Sequence, residues 1–168
     1  MFFVECKADL TLVRALSNAP PNKIMHAGNK SGVLGKLIRA RGRPNYQNSI
    51  GMVDQDPWSS QSSSLKRFKE MECCNDLGIK VLHYRWLNNH VVVLCPRLEE
   101  WIVEASNEAG MDLANYGLPA DADTLHEVIN LDTEKFENFL AELKIKSRRV
   151  KGLVDRIHRF QHRNPAMQ

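Results

Sequence analysis

The chain has 168 residues, 43% of them hydrophobic and 26% charged, with a formal net charge of +3. Those proportions suit one soluble globular domain, with room for a small helical appendage. The opening "MFFVECKADL" meets Glu5 after four apolar residues and no later stretch is long enough for a span. A signal peptide or membrane anchor is therefore not expected, and a cytoplasmic chain with no membrane partner is.

In chain order, "FFVEC" reads as a first strand ending in an acid. "DLTLVRALSN" follows as a helix with Asp9 as its N-cap and Leu10, Val13 and Leu16 on one face. After the "PPNK" break comes the strand "KIMHAG", then a helix over "GVLGKLIRAR" capped by Ser31 and ended by Gly42 and Pro44. "SIGMVD" is a third, buried strand. "SSSLKRFKEMECCNDLG" predicts a third helix, with Leu65, Phe68, Met71 and Cys74 facing inward and Gly78 as its C-cap. "IKVLHYRW" and "VVVLCP" are two more strands joined by a tight turn at "LNNH". His26 and His83 fall in predicted strands and read as structural residues.

From "PRLEEWIVEASNEAG" onward the pattern is helical, with further helices over "TLHEVINL", "TEKFENFLAELK" and "RRVKGLVDRIHRF". In "GLPADADT" the second aspartate, Asp123, can cap the helix that follows, so this Asp-x-Asp is read as turn and cap chemistry. The alternation over residues 1–105 predicts an α/β domain with a mostly parallel sheet flanked by helices. Residues 106–168 form a C-terminal helical extension packed on the same domain. Cys6, Cys73, Cys74 and Cys95 have no C-x-x-C spacing. They suit buried or half-buried thiols and not a structural zinc site.

Charge is segregated along the chain. Residues 1–98 carry 14 Lys/Arg and 7 Asp/Glu, residues 99–142 carry 1 and 12, and residues 143–168 carry 8 and 1. The last segment makes a basic stripe of Lys146, Arg148, Arg149, Lys151, Arg156 and Arg159. Such a stripe suits phosphate-backbone contacts; equally, it could be a solvated helix pairing with the acidic stretch before it.

Ligands of open α/β sheets bind at the carboxyl ends of the strands. There the first strand ends in Glu5 and the third in "VDQD", with Asp54 and Asp56 two apart. Two like charges side by side repel, and burial raises that penalty, so the pair is either a solvent-side turn or a cation site. The order of a glutamate after strand one and an Asp-x-Asp after strand three resembles the TOPRIM domain of primases, topoisomerases and several nuclease families. "FFVECKAD" matches its first motif through Glu5 and Asp9, with Cys6 in place of the usual glycine. "MHAGNKSGVLGKLIRA" and "LCPRLEEWIV" look closer to the OLD-type nucleases and their small defence-associated relatives. Lys30 matches their lysine, Asn29 replaces a glycine, and Glu99 or Glu100 matches their late acid. Trp58 stands where some members carry a third acid.

The resemblance implies a Mg²⁺- or Mn²⁺-dependent nuclease acting on DNA or RNA. Glu5, Asp54, Asp56 and one of Glu99 and Glu100 would be metal ligands, with Asp9 a weaker candidate and Lys30 a phosphate contact. It also implies an effector of an antiphage or toxin-like system. "GNKSGVLGK" lacks phosphate-loop spacing, so any ATPase would be a separate partner. A homo-oligomer is a further expectation. The competing readings are a non-catalytic TOPRIM-fold binding module for nucleic acid or protein, and a receiver-like phosphoacceptor domain.

Overall fold

The structure, a computed structural model, describes residues 1–39, 46–57 and 62–161. Gly42, Pro44 and Trp58 lie outside the described residues. Six strands form one sheet: β1 (Phe2–Val4), β2 (Ile24–His26), β3 (Ile50–Asp54), β4 (Lys69–Cys74), β5 (Ile79–Tyr84) and β6 (Asn89–Leu94). Their spatial order is β2-β1-β3-β6-β5-β4. β1 pairs in parallel with β2 and β3, and β3 pairs in parallel with β6. β5 is antiparallel to both β6 and β4. The sheet is therefore mixed: a parallel half carries the N-terminal strands and an antiparallel half closes the other side.

Strand alternation sorts the side chains between two helical layers. Phe2, Val4, Met52, Val92 and Leu94 face one layer, while Phe3, Val53, Val91 and Val93 face the other. The first layer holds α1 (Lys7–Leu16), α3 (Leu98–Glu108), α4 (Ala122–Leu131), α5 (Thr133–Lys146) and α6 (Arg148–Gln161). Trp101, Phe136, Phe139 and Phe160, all essentially inaccessible to solvent, fill it. Each contributes roughly 1.5–3 kcal/mol through burial. The helical extension thus shares one core with the sheet, and the boundary drawn at residue 105 falls inside α3. Among the described residues, no helix is long and apolar enough to cross a membrane.

On the opposite face α2 (Lys30–Ile38) packs through Val33, Leu34 and Leu37. It can approach β3 closely because Gly51 has no side chain. A Cβ there would lie 2.7 Å from both Val33 Cγ1 and Leu37 Cδ1.

The expected third helix is not formed. Residues 63–67 make a short 3₁₀ turn, and Lys69–Cys74 is the edge strand β4. Its register on β5 shifts between Glu70 and Glu72, and the bulge breaks the alternation that marks a strand in sequence. The apparent helical spacing of Leu65, Phe68, Met71 and Cys74 arises across that irregularity. Gly78 does take the left-handed conformation (φ 61°), but it ends a single 3₁₀ turn, Asn75–Leu77.

Three caps also differ from expectation. Cys6, not Asp9, is the N-cap of α1, and Asp9 closes the capping box from the third helical position. Asn29, not Ser31, caps α2 by accepting from the Gly32 amide at 2.8 Å. Asp121, not Asp123, caps α4 by accepting from the Thr124 amide at 2.9 Å.

The Gly51 contact gives a direct test of the α2 layer. Gly51→Val should lower unfolding free energy by about 1–3 kcal/mol, despite the better strand propensity of valine, because the helix must move off the sheet. Urea denaturation of the two proteins measures it; unchanged stability would mean that α2 does not press on β3.

Candidate functional site

The carboxyl ends of β1 and β3 meet the N-terminal ends of α2 and α3 at a cleft of about 660 Å³. Glu5, Lys30, Asp54, Asp56 and Glu99 all line it. A lattice of backbone donors holds the acids in place. Asp9 Oδ2 accepts from the amides of Glu5 and Cys6, each at 3.1 Å. Glu5 Oε1 accepts from the Asp54 amide at 2.9 Å, and Asp54 Oδ1 accepts from the Leu98 amide at 2.9 Å. The first residue of α3 therefore donates one of its free helix-end amides to the last residue of β3.

The strand ends at Asp54, so the two aspartates are not presented by one extended segment. Asp56 has φ 46°, and its amide donates to the Pro96 carbonyl at 2.9 Å. The left-handed turn still leaves Asp56 on the cleft wall. Lys30 occupies the first position of α2, where a cation opposes the helix dipole by about 0.3–1 kcal/mol. Its Nζ donates to the Gln55 carbonyl at 2.9 Å, which holds it between the two aspartates' strand end and Glu5.

The acids raise one another's proton affinity. Burial first, and then the neighbouring charges of Asp9, Glu99 and Glu5, push the Asp54 carboxyl up to about 9. Burial likewise raises Asp9 to about 7, against the bonds it receives from Cys6 and Glu5. Glu5 also rises through burial, opposed by the Asp54 amide and the Lys30 charge. Asp9 Oδ1 is buried and has no hydrogen-bond partner among the described residues. Asp9 is not on the cleft wall, so its role is to cap α1 and hold the Glu5 backbone.

The two late glutamates separate clearly. Glu99 is 2% exposed and lies in the cleft wall. Glu100 is turned to Arg97, whose Nε lies 2.9 Å from both of its carboxylate oxygens. Arg97 also bridges to Asp123 on α4 at 2.8 Å. Sequence reasoning missed His126, whose Nδ1 lies 2.6 Å from Glu99 Oε1. It is one residue of an amphipathic helix, and only the packing of α4 beside α3 brings it to the cleft.

Five of the six cations of the C-terminal stripe are paired with acids. Arg149 is 6% exposed and pairs with Glu104 at 3.0 Å and Glu108 at 2.7 Å. Lys146 pairs with Glu142, and Arg148 with Asp76. Arg156 and Arg159 both pair with Glu72 on β4. Lys151 is exposed, and none of the six lines the cleft. The stripe's arginines tie α6 to α3 and to the β4–β5 edge, while the Lys146 pair lies within α5, so its partners extend beyond the acidic stretch.

Among the described residues, no three His, Cys, Asp or Glu side chains converge into a ready-formed metal cage. The chemistry of the donor set is nonetheless that of a hard cation: carboxylate oxygens without thiolate, in a cleft with room for a hydrated ion. Mg²⁺ keeps several waters and needs only one or two direct carboxylates, so Glu5, Asp54 and Asp56 fit it or Mn²⁺. No family model, curated protein or solved structure matches the chain.

The raised Asp54 proton affinity predicts a pH effect of defined sign. An unfolded aspartate titrates near 4, whereas native Asp54 holds its proton to about 9. The native state therefore binds more protons across that window, and stability falls as pH rises through it. Asp54→Asn keeps an oxygen for the Leu98 amide and removes the charge. In EDTA it should stabilise the protein by about 1 kcal/mol or more at pH 8, with the gain shrinking toward pH 4. Thermal unfolding across pH reads the difference, and a pH-independent gain would refute the electrostatic account.

Proposed function

We propose that the chain is a divalent-metal-dependent nuclease of TOPRIM type, hydrolysing phosphodiester bonds of DNA or RNA. The observation that carries this reading is the gathering of Glu5, Asp54 and Asp56, with Lys30 beside them, at the carboxyl ends of parallel strands β1 and β3. The α/β sheet and the motif order support it further. In this reading Glu5, Asp54 and Asp56 hold Mg²⁺ or Mn²⁺, directly or through water. When bound, the cation supplies polarisation of a phosphodiester oxygen and acidification of a water.

The chain's own residues do the rest. The amides of Asp54 and Leu98 fix the Glu5 and Asp54 carboxylates before any ligand arrives, so little ordering remains to be done on binding. The Lys30 ammonium can move from the Gln55 carbonyl to a phosphate oxygen and offset charge that builds there. His126, held by buried Glu99, offers its remaining ring nitrogen to substrate in the same cleft. A regulatory ATPase, self-association and a defence role rest on the resemblance alone. A second reading, a non-catalytic binding module, is favoured by one fact: the described acids do not form a complete metal cage.

The purified chain should cut plasmid DNA, single-stranded DNA or tRNA in Mg²⁺ or Mn²⁺ but not in EDTA. Asp54→Ala/Asp56→Ala should lose at least about 100-fold in rate, together with the thermal stabilisation that the metal confers. Lys30→Ala should slow cleavage about 10- to 100-fold while keeping that stabilisation. Metal binding without cleavage of any substrate would favour the binding module, and no metal binding would remove the site assignment.

A further inference from the structure

The notable absence in the sequence is of acids between Asp9 and Asp54. Residues 10–53 contain seven Lys/Arg and no Asp or Glu. The middle of this segment is α2, whose outer face runs away from the cleft. A hollow of about 320 Å³ lies along it, lined by Ser31, Gly35, Lys36, Arg39 and Tyr46, among others. Ser31 also lines the acidic cleft, so the two depressions adjoin at the start of α2. The space beside Gly35 is open, since a Cβ there would meet nothing within 4 Å.

Beyond the end of α2 a second hollow of about 370 Å³ is bounded by Ile38, Arg67, Tyr84, Trp86 and Leu87. Among the described residues, no acid lines either hollow. Arg67 lies over the Tyr84 ring, 5.6 Å from its centroid, and Arg85 lies 5.0 Å from that of Trp86. Trp86 is 73% exposed on the β5–β6 turn. Tight turns favour Gly, Asn, Asp, Ser and Pro, and a tryptophan there stabilises neither turn nor core. Arg39, Arg67 and Arg85 are exposed, and among the described residues none of them, nor Lys36, forms an ion pair. This contrasts with α6, where the arginines are neutralised.

We propose that this face binds an unpaired nucleic-acid strand, with phosphates on Lys36, Arg39 and Arg67, and a base stacked on Trp86. The strand runs along α2, a nine-residue helix about 13 Å long, into the acidic cleft. Cations spaced along a groove and an exposed aromatic at its end are the two elements of single-strand binding. A double helix could offer its phosphates to the same cations, but its stacked bases cannot sit on Trp86. The path rests on the nuclease reading only where it enters the cleft.

The test is fluorescence anisotropy of labelled (dT)15 and (U)15 with the full chain in EDTA, so that cleavage plays no part. Trp86→Ala should weaken binding about 5- to 100-fold, the loss of one stacked base, and Trp86→Phe should restore most of it. Lys36→Ala/Arg39→Ala should weaken binding and reduce the slope of log affinity against log salt by about 1.4, near 0.7 per phosphate contact. A duplex of the same sequence should bind more weakly and ignore Trp86→Ala. Binding unaffected by both sets of variants, tighter binding of the duplex, or no binding of any strand would overturn the proposal. Variant-sensitive binding without cleavage in Mg²⁺ or Mn²⁺ would leave the path standing and remove the nuclease reading. Cleavage by a protein whose binding ignores these variants would do the reverse.

Discussion

A relay of carboxylates on backbone amides ties the working edge of this protein together. Asp9 in α1 receives the amides of Glu5 and Cys6, Glu5 after β1 receives the amide of Asp54, and Asp54 at the end of β3 receives the amide of Leu98 at the start of α3. Each bond ties one element to the next, and each brings another carboxyl group toward the same place. Amides are dipoles, so they position a carboxylate without neutralising it. The fold therefore accepts a concentration of like charge at one sheet end in return for a fixed geometry. Such an arrangement is of little use to stability alone, since apolar side chains at the same strand ends would pack without repulsion.

The two faces of the sheet serve this edge differently. Five helices cover one face with a thick aromatic core, which anchors α1 and α3 and so the acids that their N-terminal ends organise. A single helix covers the other, drawn close by Gly51. This thinner layer leaves the outer side of α2 near the mouth of the cleft, where Ser31, Lys36 and Arg39 line a hollow. Lys30 at its first position can thus reach the cleft while Val33, Leu34 and Leu37 pack on the sheet and Lys36 and Arg39 line the outer hollow.

How much of this was legible in the sequence depended on the range of the forces involved. Glu5, Asp54 and Asp56 could be found because strand ends follow from short apolar runs, and because sheets gather their strand ends on one side. Their common sheet edge was thereby legible, while their meeting in one cleft depends on the packing of α2 and α3. β4 was illegible because its bulge interrupts the period of two, leaving Phe68, Met71 and Cys74 at helical spacing by accident. The cap residues of α1, α2 and α4 were misjudged by two or three positions, since several Ser, Asn, Asp and Cys side chains compete near each helix start. The choice between Glu99 and Glu100 turns on one residue of helical phase, 100° of rotation, and was decided by the Arg97 fork and the packing of α3. His126 had no local signal at all, because its meeting with Glu99 depends on how α4 lies against α3.

Charge patterning shows the same dependence on range. The C-terminal stripe looked like the chain's basic surface because its cations are dense in sequence. In the fold they meet Glu72, Asp76, Glu104, Glu108 and Glu142, and one of the arginines is buried. The sparser cations of residues 10–53 have no acid within their own segment, and two of them, Lys36 and Arg39, line the hollow along α2. Coulomb attraction falls off over a Debye length of about 8–10 Å in physiological salt, so what a ligand feels is the uncompensated local charge. By that measure Lys36 and Arg39, in no ion pair among the described residues, offer a ligand more uncompensated charge than the paired arginines of α6. The hollow leads toward carboxylates that would repel a phosphate chain unless a cation stood between them, and Lys30 sits at that junction. A polyanion drawn along α2 would therefore reach the acidic cleft only in company with positive charge, which is the condition under which those acids could serve a phosphodiester at all.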